Sequence, residues 1–353
     1  MKEPGTGLGD TQGASRRDFF KTVGGVSAAM AAVQTPAMSA EAAQMPMVRW
    51  KNQSISRLIC GSNTFGGLSH LSAFINREMR AFFTPEQIIK TSRRCTEVGI
   101  NTFEPLSSAT PGAPAAPPRA GGAAGAPPRA GGPARPNVYQ ALAEQGIKIQ
   151  GFLRGQGDPA RVATMAKTPG VIGMHHYGVA TDNWFKQGQL DVVRDYVKRI
   201  RDTGLLVGVA AHMPEAIAEV ESQGWDIDYY MCCVYQWGRT KEDFEKLAGN
   251  RKDLLPIETY SVIAREGYSE VFLSGDPPKM FNVIKKVRKP CLVYKILAAG
   301  RRCETLETVE VAFKEAFENI KPTDAVIVGF YDRYTDQPAE CAALVRKYGT
   351  VSS

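Results

Sequence analysis

Apolar runs of strand length alternate with helical segments through the middle of the chain. The apolar run 171–174 leads into two adjacent histidines, a helical segment follows over 181–203, and a second apolar run, 205–211, ends at His212. Apolar runs separated by helices of this length are typical of parallel strands that are buried on both faces. This stretch therefore predicts a strand, a helix and a second parallel strand, with histidine at the C-terminal end of each strand.

The same alternation continues on both sides of this unit. We predict eight strands, at 54–60, 100–105, 148–154, 171–174, 205–211, 227–235, 291–295 and 325–329. Helical segments separate the strands; one has Thr84 as its N-cap and Pro85 at its first position, and another lies at 241–248. Eight strands alternating with eight helices over about 300 residues is the count for a (β/α)8 or TIM barrel, for which roughly 250 residues is typical.

The first 42 residues have the features of an export signal. The run 15–21 (SRRDFFK) resembles the twin-arginine signal, an apolar stretch rich in Ala and Gly follows over 22–33, and Ala40-Glu41-Ala42 supplies the small residues of a cleavage site. The apolar stretch is too short for a membrane span, which needs about 20 apolar residues. We therefore predict a Tat signal peptide at 1–42, the Tat translocase as a partner during export, a periplasmic or extracellular mature protein, and no stable membrane insertion.

Pro and Gly dominate residues 106–136, where the sequence APPRAGG occurs twice, starting at Ala116 and at Ala126. A segment of this composition does not build a packed core. We predict that it is a disordered insertion in the loop after the second strand. The rest of the mature chain, 43–353, is then a single barrel domain.

Composition narrows the classes of partner and site. The net charge is +7, 43% of the residues are hydrophobic, and no run of Lys and Arg is interleaved with aromatic residues. We therefore predict no nucleic-acid partner. The seven cysteines show no CxxC spacing, and several lie in apolar strand-like runs, where a free cysteine usually behaves as a small buried apolar residue. Their odd number leaves at least one thiol outside any intramolecular pairing.

Polar residues end or follow most of the predicted strands. Parallel barrels carry their chemistry at the C-terminal ends of their strands, so the candidate site consists of Glu104, Arg154, His175, His176, Tyr177, His212, Tyr235, Gln236, Lys295, Asp332 and Arg333. Neighbouring residues of a strand point to opposite faces, so only one of His175 and His176 faces the barrel interior. We expect it to be His176, which is nearer to the C-terminal end. A small-molecule substrate suits this polar mouth.

Several segments resemble the aldo/keto reductase superfamily. Residues 55–61 with 63–67 are similar to its first strand and loop, 97–104 to its second strand, and 326–329 with 340–346 to its last strand and helix. The resemblance spans about residues 50–350. It implies a barrel and an oxidoreductase that uses a nicotinamide dinucleotide, NADP.

The catalytic set of that family is Asp, Tyr, Lys and His. The resemblance implies Glu104 in the place of the aspartate and Arg154 in the place of the lysine. It implies His175 or His176 in the place of the histidine.

The resemblance leaves the family's tyrosine without a counterpart, because no tyrosine follows Glu104 in a comparable setting. The candidate proton donors in its place are Tyr177, Tyr235 and Lys295. On the same basis the candidate cofactor-binding residues are Lys295, Arg301, Asp332 and Arg333.

The strand-end residues support an oxidoreductase-like or acid–base site as the first interpretation. A histidine whose pKa lies near neutral pH moves protons. In this interpretation His176 or His212 has that role. Glu104 orients the histidine or acts as a base. Lys295 or Arg154 stabilises an enolate or alkoxide. The substrate would be a small polar, carbohydrate-like carbonyl or hydroxyl compound.

Two other interpretations stay open. In the first, His176 and His212 bind a divalent metal together with Glu104 or Asp332, because two imidazoles and a carboxylate form a catalytic zinc set with an open position. Such a site would serve an isomerase, epimerase, lyase or hydrolase. In the second, the barrel is catalytically inactive and binds a partner through the 106–136 insertion.

Overall fold

The computed structural model describes residues 44–106, 137–155, 157–236, 239 and 272–350. Three predicted features lie outside these residues: the signal peptide, nearly all of the Pro/Gly insertion, and the helix at 241–248. The account that follows concerns the barrel.

Eight parallel strands close into a barrel, which confirms the predicted TIM barrel. A two-stranded antiparallel hairpin precedes it. In chain order the strands are β1 Met47–Trp50 and β2 Gln53–Ser56 in the hairpin, then β3 Leu58–Gly61, β4 Thr102–Glu104, β5 Gln150–Gly155, β6 Val171–His176, β7 Leu206–Ala211, β8 Tyr229–Cys233, β9 Cys291–Tyr294 and β10 Ala325–Gly329 in the barrel. The barrel closes where β10 pairs with β3, for example Val326 with Leu58.

Helices surround the barrel. They are α1 Ala73–Phe82, α2 Pro85–Glu97, α3 Val138–Ala143, α4 Val162–Met165, α5 Gly178–Lys186, α6 Leu190–Arg201, α7 Pro214–Ser222, α8 Asp276–Lys286, α9 Leu306–Asn319 and α10 Gln337–Tyr348. The predicted start of α2 is confirmed, because the Thr84 side chain accepts a hydrogen bond from the backbone N–H of Gln87. Of the helices described, none has both the length and the apolar character needed to cross a membrane.

One predicted helix, 181–203, is in fact two helices, α5 and α6. Gly188 lies between them with a φ of +67°. That left-handed backbone conformation is easy for glycine and ends the helical path. The prediction was wrong because the apolar spacing continues across the break.

The first predicted strand, 54–60, is also two elements, β2 in the hairpin and β3 in the barrel. They are separated by Arg57, which is buried. Its guanidinium donates hydrogen bonds to the carbonyl oxygens of Lys321, Asp324 and Gly349. Arg57 thus fixes the point where the chain passes from the hairpin into the barrel. The prediction joined the two strands because the apolar residues Ile55 and Leu58 lie on either side of Arg57.

The hairpin closes the N-terminal end of the barrel. The buried Trp50 ring on β1 lies 5.5 Å from the Tyr229 ring and 6.0 Å from the Phe152 ring, and its Nε1 donates to the Thr323 carbonyl at 2.8 Å. Tyr229 fits inside the barrel because Gly208 on the next strand has no side chain; a Cβ there would lie 2.4 Å from the Tyr229 ring. Apolar and aromatic side chains therefore fill the lower interior, below the polar mouth.

We expect Trp50→Phe to lower the free energy of unfolding by about 1 kcal/mol, since it removes the donor of the partly buried hydrogen bond to the Thr323 carbonyl. Met47 lies on the same strand but is 41% exposed. Met47→Leu should therefore change the stability by less than about 0.5 kcal/mol. Urea denaturation followed by circular dichroism measures the stability of both variants. Equal losses of stability would contradict the role of Trp50 in closing the N-terminal end of the barrel.

Candidate active site at the barrel mouth

Alternation along β6 decides which of the two adjacent histidines faces the interior. Phe152 and Arg154 on β5 pair with Gly173 and His175 on β6, and Phe152 packs among the interior residues. His175 therefore faces the interior, where it is fully buried. His176 faces outward, so the prediction that it faces the mouth is wrong. The strand keeps its regular alternation up to its last residue, which places His176 against the helices.

His176 is held between β6 and the surrounding helices. Its Nδ1 lies 2.7 Å from Thr181 Oγ1 on α5, and its ring lies 5.1 Å from the Tyr196 ring on α6. Burial, with His175 as a second cause, lowers the pKa of His176 to about 4. The imidazole therefore stays neutral at physiological pH, as a structural hydrogen-bonding group.

The low pKa of His176 predicts a loss of stability in acid. The unfolded chain, where the pKa of histidine is about 6.5, takes up this proton before the folded protein does. The stability that the group contributes is complete above about pH 6.5, and up to about 3 kcal/mol of it is lost as the pH falls towards 4. We expect His176→Gln to remove this part of the pH dependence, measured by urea denaturation at about pH 7.5 and about pH 4.5. Equal acid losses in variant and wild type would exclude His176 as the cause.

Glu104, Arg154 and His175 form one cluster inside the mouth. Glu104 Oε1 lies 3.4 Å from His175 Nε2 and 3.6 Å from Arg154 Nη2. His175 Nδ1 lies 3.2 Å from Tyr229 Oη below it, and the Arg154 guanidinium covers the Tyr177 ring at 5.1 Å. The structure thus brings the predicted Glu104 and Arg154 together, with His175 as the third member.

Charge keeps Glu104 ionised although it is buried. Burial raises the pKa of Glu104. The Arg154 guanidinium and His175 together lower it by more than burial raises it, so the pKa lies below its usual value. Burial lowers the pKa of Arg154, and Glu104 with neighbouring tyrosines raises it above its usual value. A carboxylate that accepts hydrogen bonds beside a guanidinium that donates them suits a hydroxyl group of a substrate.

His212 has a carboxylate of its own. It follows β7 directly, and its Nδ1 lies 2.7 Å from Asp182 Oδ2 on α5. The Asp182 carboxylate also accepts the backbone N–H of His212 at 3.0 Å and that of Met213 at 3.2 Å. Gly178 leaves room for the imidazole, because a Cβ at that position would lie 3.0 Å from His212 Cε1. The ring of His212 is therefore held in one orientation.

Asp182 also selects the tautomer of His212. A carboxylate accepts hydrogen bonds, so Nδ1 carries the proton and Nε2 carries the lone pair. Burial lowers the pKa of His212, Asp182 raises it, and Lys295 and Arg154 lower it again, which leaves the pKa below its usual value. At neutral pH the imidazole is uncharged, which is the form that accepts a proton as a general base.

Two residues of the mouth were not among those predicted, Asp182 and Tyr294. The sequence around Asp182 gives no signal, because the residue lies within a helix and its partner His212 is 30 positions away. Tyr294 ends β9, and its ring lies 5.7 Å from the His212 ring. Alternation supplies a signal here: Leu292 packs in the interior, so Tyr294, two residues later, faces the same side.

Lys295, Arg301 and Tyr235 gather around Phe272. Lys295 Nζ lies 5.3 Å, Arg301 Cζ 4.1 Å and the Tyr235 ring 5.3 Å from the centre of the Phe272 ring. Lys295 adopts a φ of +64°, which is uncommon for a residue other than glycine. Burial raises the pKa of Tyr235 to about 12, so its hydroxyl stays protonated. Lys295 joins this group to the mouth, because its charge acts on His212.

The other two predicted cofactor-binding residues have different neighbours. Asp332 accepts hydrogen bonds from Thr91 Oγ1 on α2, the shorter at 2.8 Å. Arg333 Nη1 lies 3.5 Å from Glu78 Oε2 on α1. Lys295 and Arg301 thus share Phe272 as a neighbour, whereas Asp332 and Arg333 contact the helices α2 and α1.

The structure does not bring together the predicted metal ligands, His176 and His212 with Glu104 or Asp332. His176 faces the helices and contacts Thr181, whereas His212 and Glu104 face the mouth. In the part of the chain that the structure describes, no group of three or more His, Cys, Asp or Glu side chains is arranged to hold a metal ion. The orientation of β6 is the physical reason, since it turns one of the two proposed imidazole ligands outward.

Two comparisons with known proteins gave no match. No protein-family model matches this chain. No curated protein sequence matches it.

Several solved structures are distantly similar to the chain. A glycerol dehydrogenase from Gluconobacter oxydans is 12% identical, with a TM-score of 0.42, over 87% of this chain and 98% of that chain. A truncated 3-deoxy-D-arabino-heptulosonate 7-phosphate synthase from Thermotoga maritima is 10% identical, with a TM-score of 0.41, over 86% of this chain and 91% of that chain. The enzyme DHPS of Yersinia pestis is 9% identical, with a TM-score of 0.39, over 85% and 97%. Similarities at this level carry no conclusion about what this chain does.

Proposed function

We propose that this chain is an acid–base enzyme acting on a small polar, carbohydrate-like compound with a carbonyl or hydroxyl group. In this proposal His212 moves the proton and Asp182 is its positioning residue. The observation that carries the proposal is the buried contact of 2.7 Å between His212 Nδ1 and Asp182 Oδ2. A neutral imidazole backed by a carboxylate accepts a proton and is stabilised as imidazolium.

The cations of the mouth complete this assignment. Lys295 and Arg154 both act electrostatically on His212, so negative charge that develops on a substrate oxygen beside His212 would be stabilised by them. Glu104, held against Arg154 and His175, would accept a hydrogen bond from a neighbouring hydroxyl. A compound with a hydroxyl group next to a carbonyl group has both features.

An oxidoreductase similar to the aldo/keto reductases is the first candidate reaction class. It is supported by Glu104, Arg154 and His175, which face the interior on the second, third and fourth barrel strands, as the resemblance implies. One observation favours an isomerase, epimerase or lyase as the second class. Residues 105–137 contain no tyrosine, so the segment after the second barrel strand does not supply the proton donor of the aldo/keto reductases. An enzyme of this second class removes a proton from carbon and needs no hydride acceptor.

One experiment separates these classes. The purified mature protein is incubated in D2O with a panel of aldoses, ketoses and small hydroxycarbonyl compounds, with and without nicotinamide dinucleotides. NMR detects deuterium on carbon, and absorbance detects oxidation or reduction of the nicotinamide. Turnover that requires the nicotinamide supports the oxidoreductase, and deuterium incorporation without it supports the isomerase class. The proposal fails if no compound reacts, or if His212→Gln reacts as fast as the wild type.

We also propose export by the twin-arginine route. The double variant Arg16→Lys/Arg17→Lys of the full-length chain should stay uncleaved in the cytoplasm, because the translocase recognises the arginine pair. Cell fractionation and the mass of the purified protein measure location and cleavage. Cleaved periplasmic protein from the double variant would contradict the proposed route.

A further inference from the structure

His212, Cys233 and Tyr294 lie side by side at the C-terminal ends of the adjacent strands β7, β8 and β9. Cys233 on β8 pairs with Tyr294 on β9. Ala211 on β7 pairs with Cys232, so His212, which follows Ala211, is level with Cys233. The rings of Tyr294 and His212 are 5.7 Å apart and nearly perpendicular. Tyr294 is thus the side chain of β9 that faces the proposed proton-transfer group.

Tyr294 belongs to the packed interior and also interacts with the polar side chains of the mouth. Its ring packs against the interior residues of the barrel. Burial raises the pKa of Tyr294 well above its usual value, Cys233, Asp182 and Glu104 raise it too, and Arg154 lowers it. Cys233 is the register partner of Tyr294 on the neighbouring strand. Burial raises the pKa of the Cys233 thiol, and the Tyr294 side chain is among the groups that lower it. Sulfur is a weak hydrogen-bond acceptor, so an oxygen carrying negative charge would be the stronger partner for the Tyr294 hydroxyl.

We propose that the Tyr294 hydroxyl donates the hydrogen bond that stabilises the substrate oxygen while His212 moves the proton. This inference rests on the proposed function in its isomerase, epimerase or lyase form, in which a proton leaves carbon. As His212 Nε2 takes a proton from the carbon next to the carbonyl, the C–H electron pair forms a C=C bond and the carbonyl pair moves onto oxygen. The Tyr294 hydroxyl donates its hydrogen bond to that oxygen. The proton stays on Tyr294, since burial holds the pKa of this tyrosine well above its usual value.

Tyr294→Phe in the full chain tests the inference, because phenylalanine keeps the ring that packs against His212 and loses only the donor. Removing one such donor is expected to lower kcat by about 10²–10³-fold. The KM should change by less than about threefold, since the interaction is made mainly in the transition state. The loss should be the same from about pH 6 to about pH 9, because the Tyr294 hydroxyl does not ionise in that range.

The matched control is Tyr230→Phe. Tyr230 lies on the neighbouring strand β8, but its hydroxyl lies 2.7 Å from Glu221 on α7, outside the barrel. This variant should keep kcat within about twofold of the wild type. An NMR titration of the His212 imidazole adds a second readout, because a purely electronic role for Tyr294 leaves the tautomer of His212 unchanged.

The outcomes are distinct. Wild-type kcat in Tyr294→Phe, with His212→Gln inactive, would overturn the inference and leave the proposed function intact. A loss of activity accompanied by a changed His212 tautomer would also overturn it, since Tyr294 would then act through the packing of the imidazole. If the wild type acts on no compound of the panel, the proposed function fails and this inference fails with it.

Discussion

Replacing His212 by glutamine is expected to remove most of the turnover, with kcat/KM lower by about 10²–10⁴-fold. Glutamine occupies a similar volume and can still donate to Asp182, but its amide does not accept a proton at neutral pH. The loss therefore reports proton transfer rather than the packing of the mouth. Initial rates on a substrate found in the panel, with circular dichroism to verify folding, measure the effect.

The same substitution on the neighbouring strand is the matched control. His176 is also buried, but its ring contacts Thr181 and Tyr196 outside the barrel. His176→Gln should keep kcat/KM within about threefold of the wild type. Comparable losses of kcat/KM in the two variants would contradict the assignment of proton transfer to His212 and of a structural role to His176.

Asp182→Asn tests the positioning role through the pH profile. Since His212 must be neutral to accept a proton, kcat/KM should fall as the pH drops through its lowered pKa. Asp182 raises that pKa against the effects of burial, Lys295 and Arg154, so the asparagine variant should show the acid limb at lower pH. The plateau should fall by about 10²–10⁴-fold, because the amide no longer selects the tautomer. An unchanged profile would contradict the role of Asp182.

The barrel could be predicted because its signals are local. Most of the barrel strands are short apolar runs between helices, and the run 325–329 coincides with β10. The hairpin could not be predicted in the same way. Its strand β2 continues into β3 with only Arg57 between them, and the Arg57 guanidinium donates to carbonyl oxygens more than 250 positions away. Nothing in the local sequence shows that these partners are near.

The site was partly predictable for the same reason. Strand ends are local, so Glu104, Arg154, His212 and Lys295 could be named from the sequence. The face of the last residue of β6 could not, because a shift of one position in the alternation moves every side chain to the opposite face. Asp182 was missed because the contact that gives it a role joins a helix to a strand end. Tyr294 was missed because it is followed by Lys295, and the sequence alone does not set which of these two neighbours faces the interior.

Replacing Arg154 by methionine is expected to lower the free energy of unfolding by about 3–5 kcal/mol at neutral pH. Glu104 is 3% exposed, and Arg154 is the group that most lowers its pKa. Methionine keeps much of the packing over Tyr177 but leaves the buried carboxylate without its counter-charge. Urea denaturation measures the loss, and Glu104→Gln/Arg154→Met should recover most of it because the buried charge is then absent.

The pH dependence identifies the cause of that loss. In the wild type the pKa of Glu104 is lowered, so its stabilising contribution is present above the unfolded value of about 4.3 and disappears as the pH falls through the folded value. Without Arg154, burial raises the pKa of Glu104, so the carboxyl takes up a proton on acidification and its penalty disappears. The difference between wild type and Arg154→Met should therefore be large at about pH 8 and small at about pH 4.5. A difference of equal size at both pH values would show that Arg154 stabilises the mouth by covering Tyr177, and that its ion pair with the buried Glu104 contributes little.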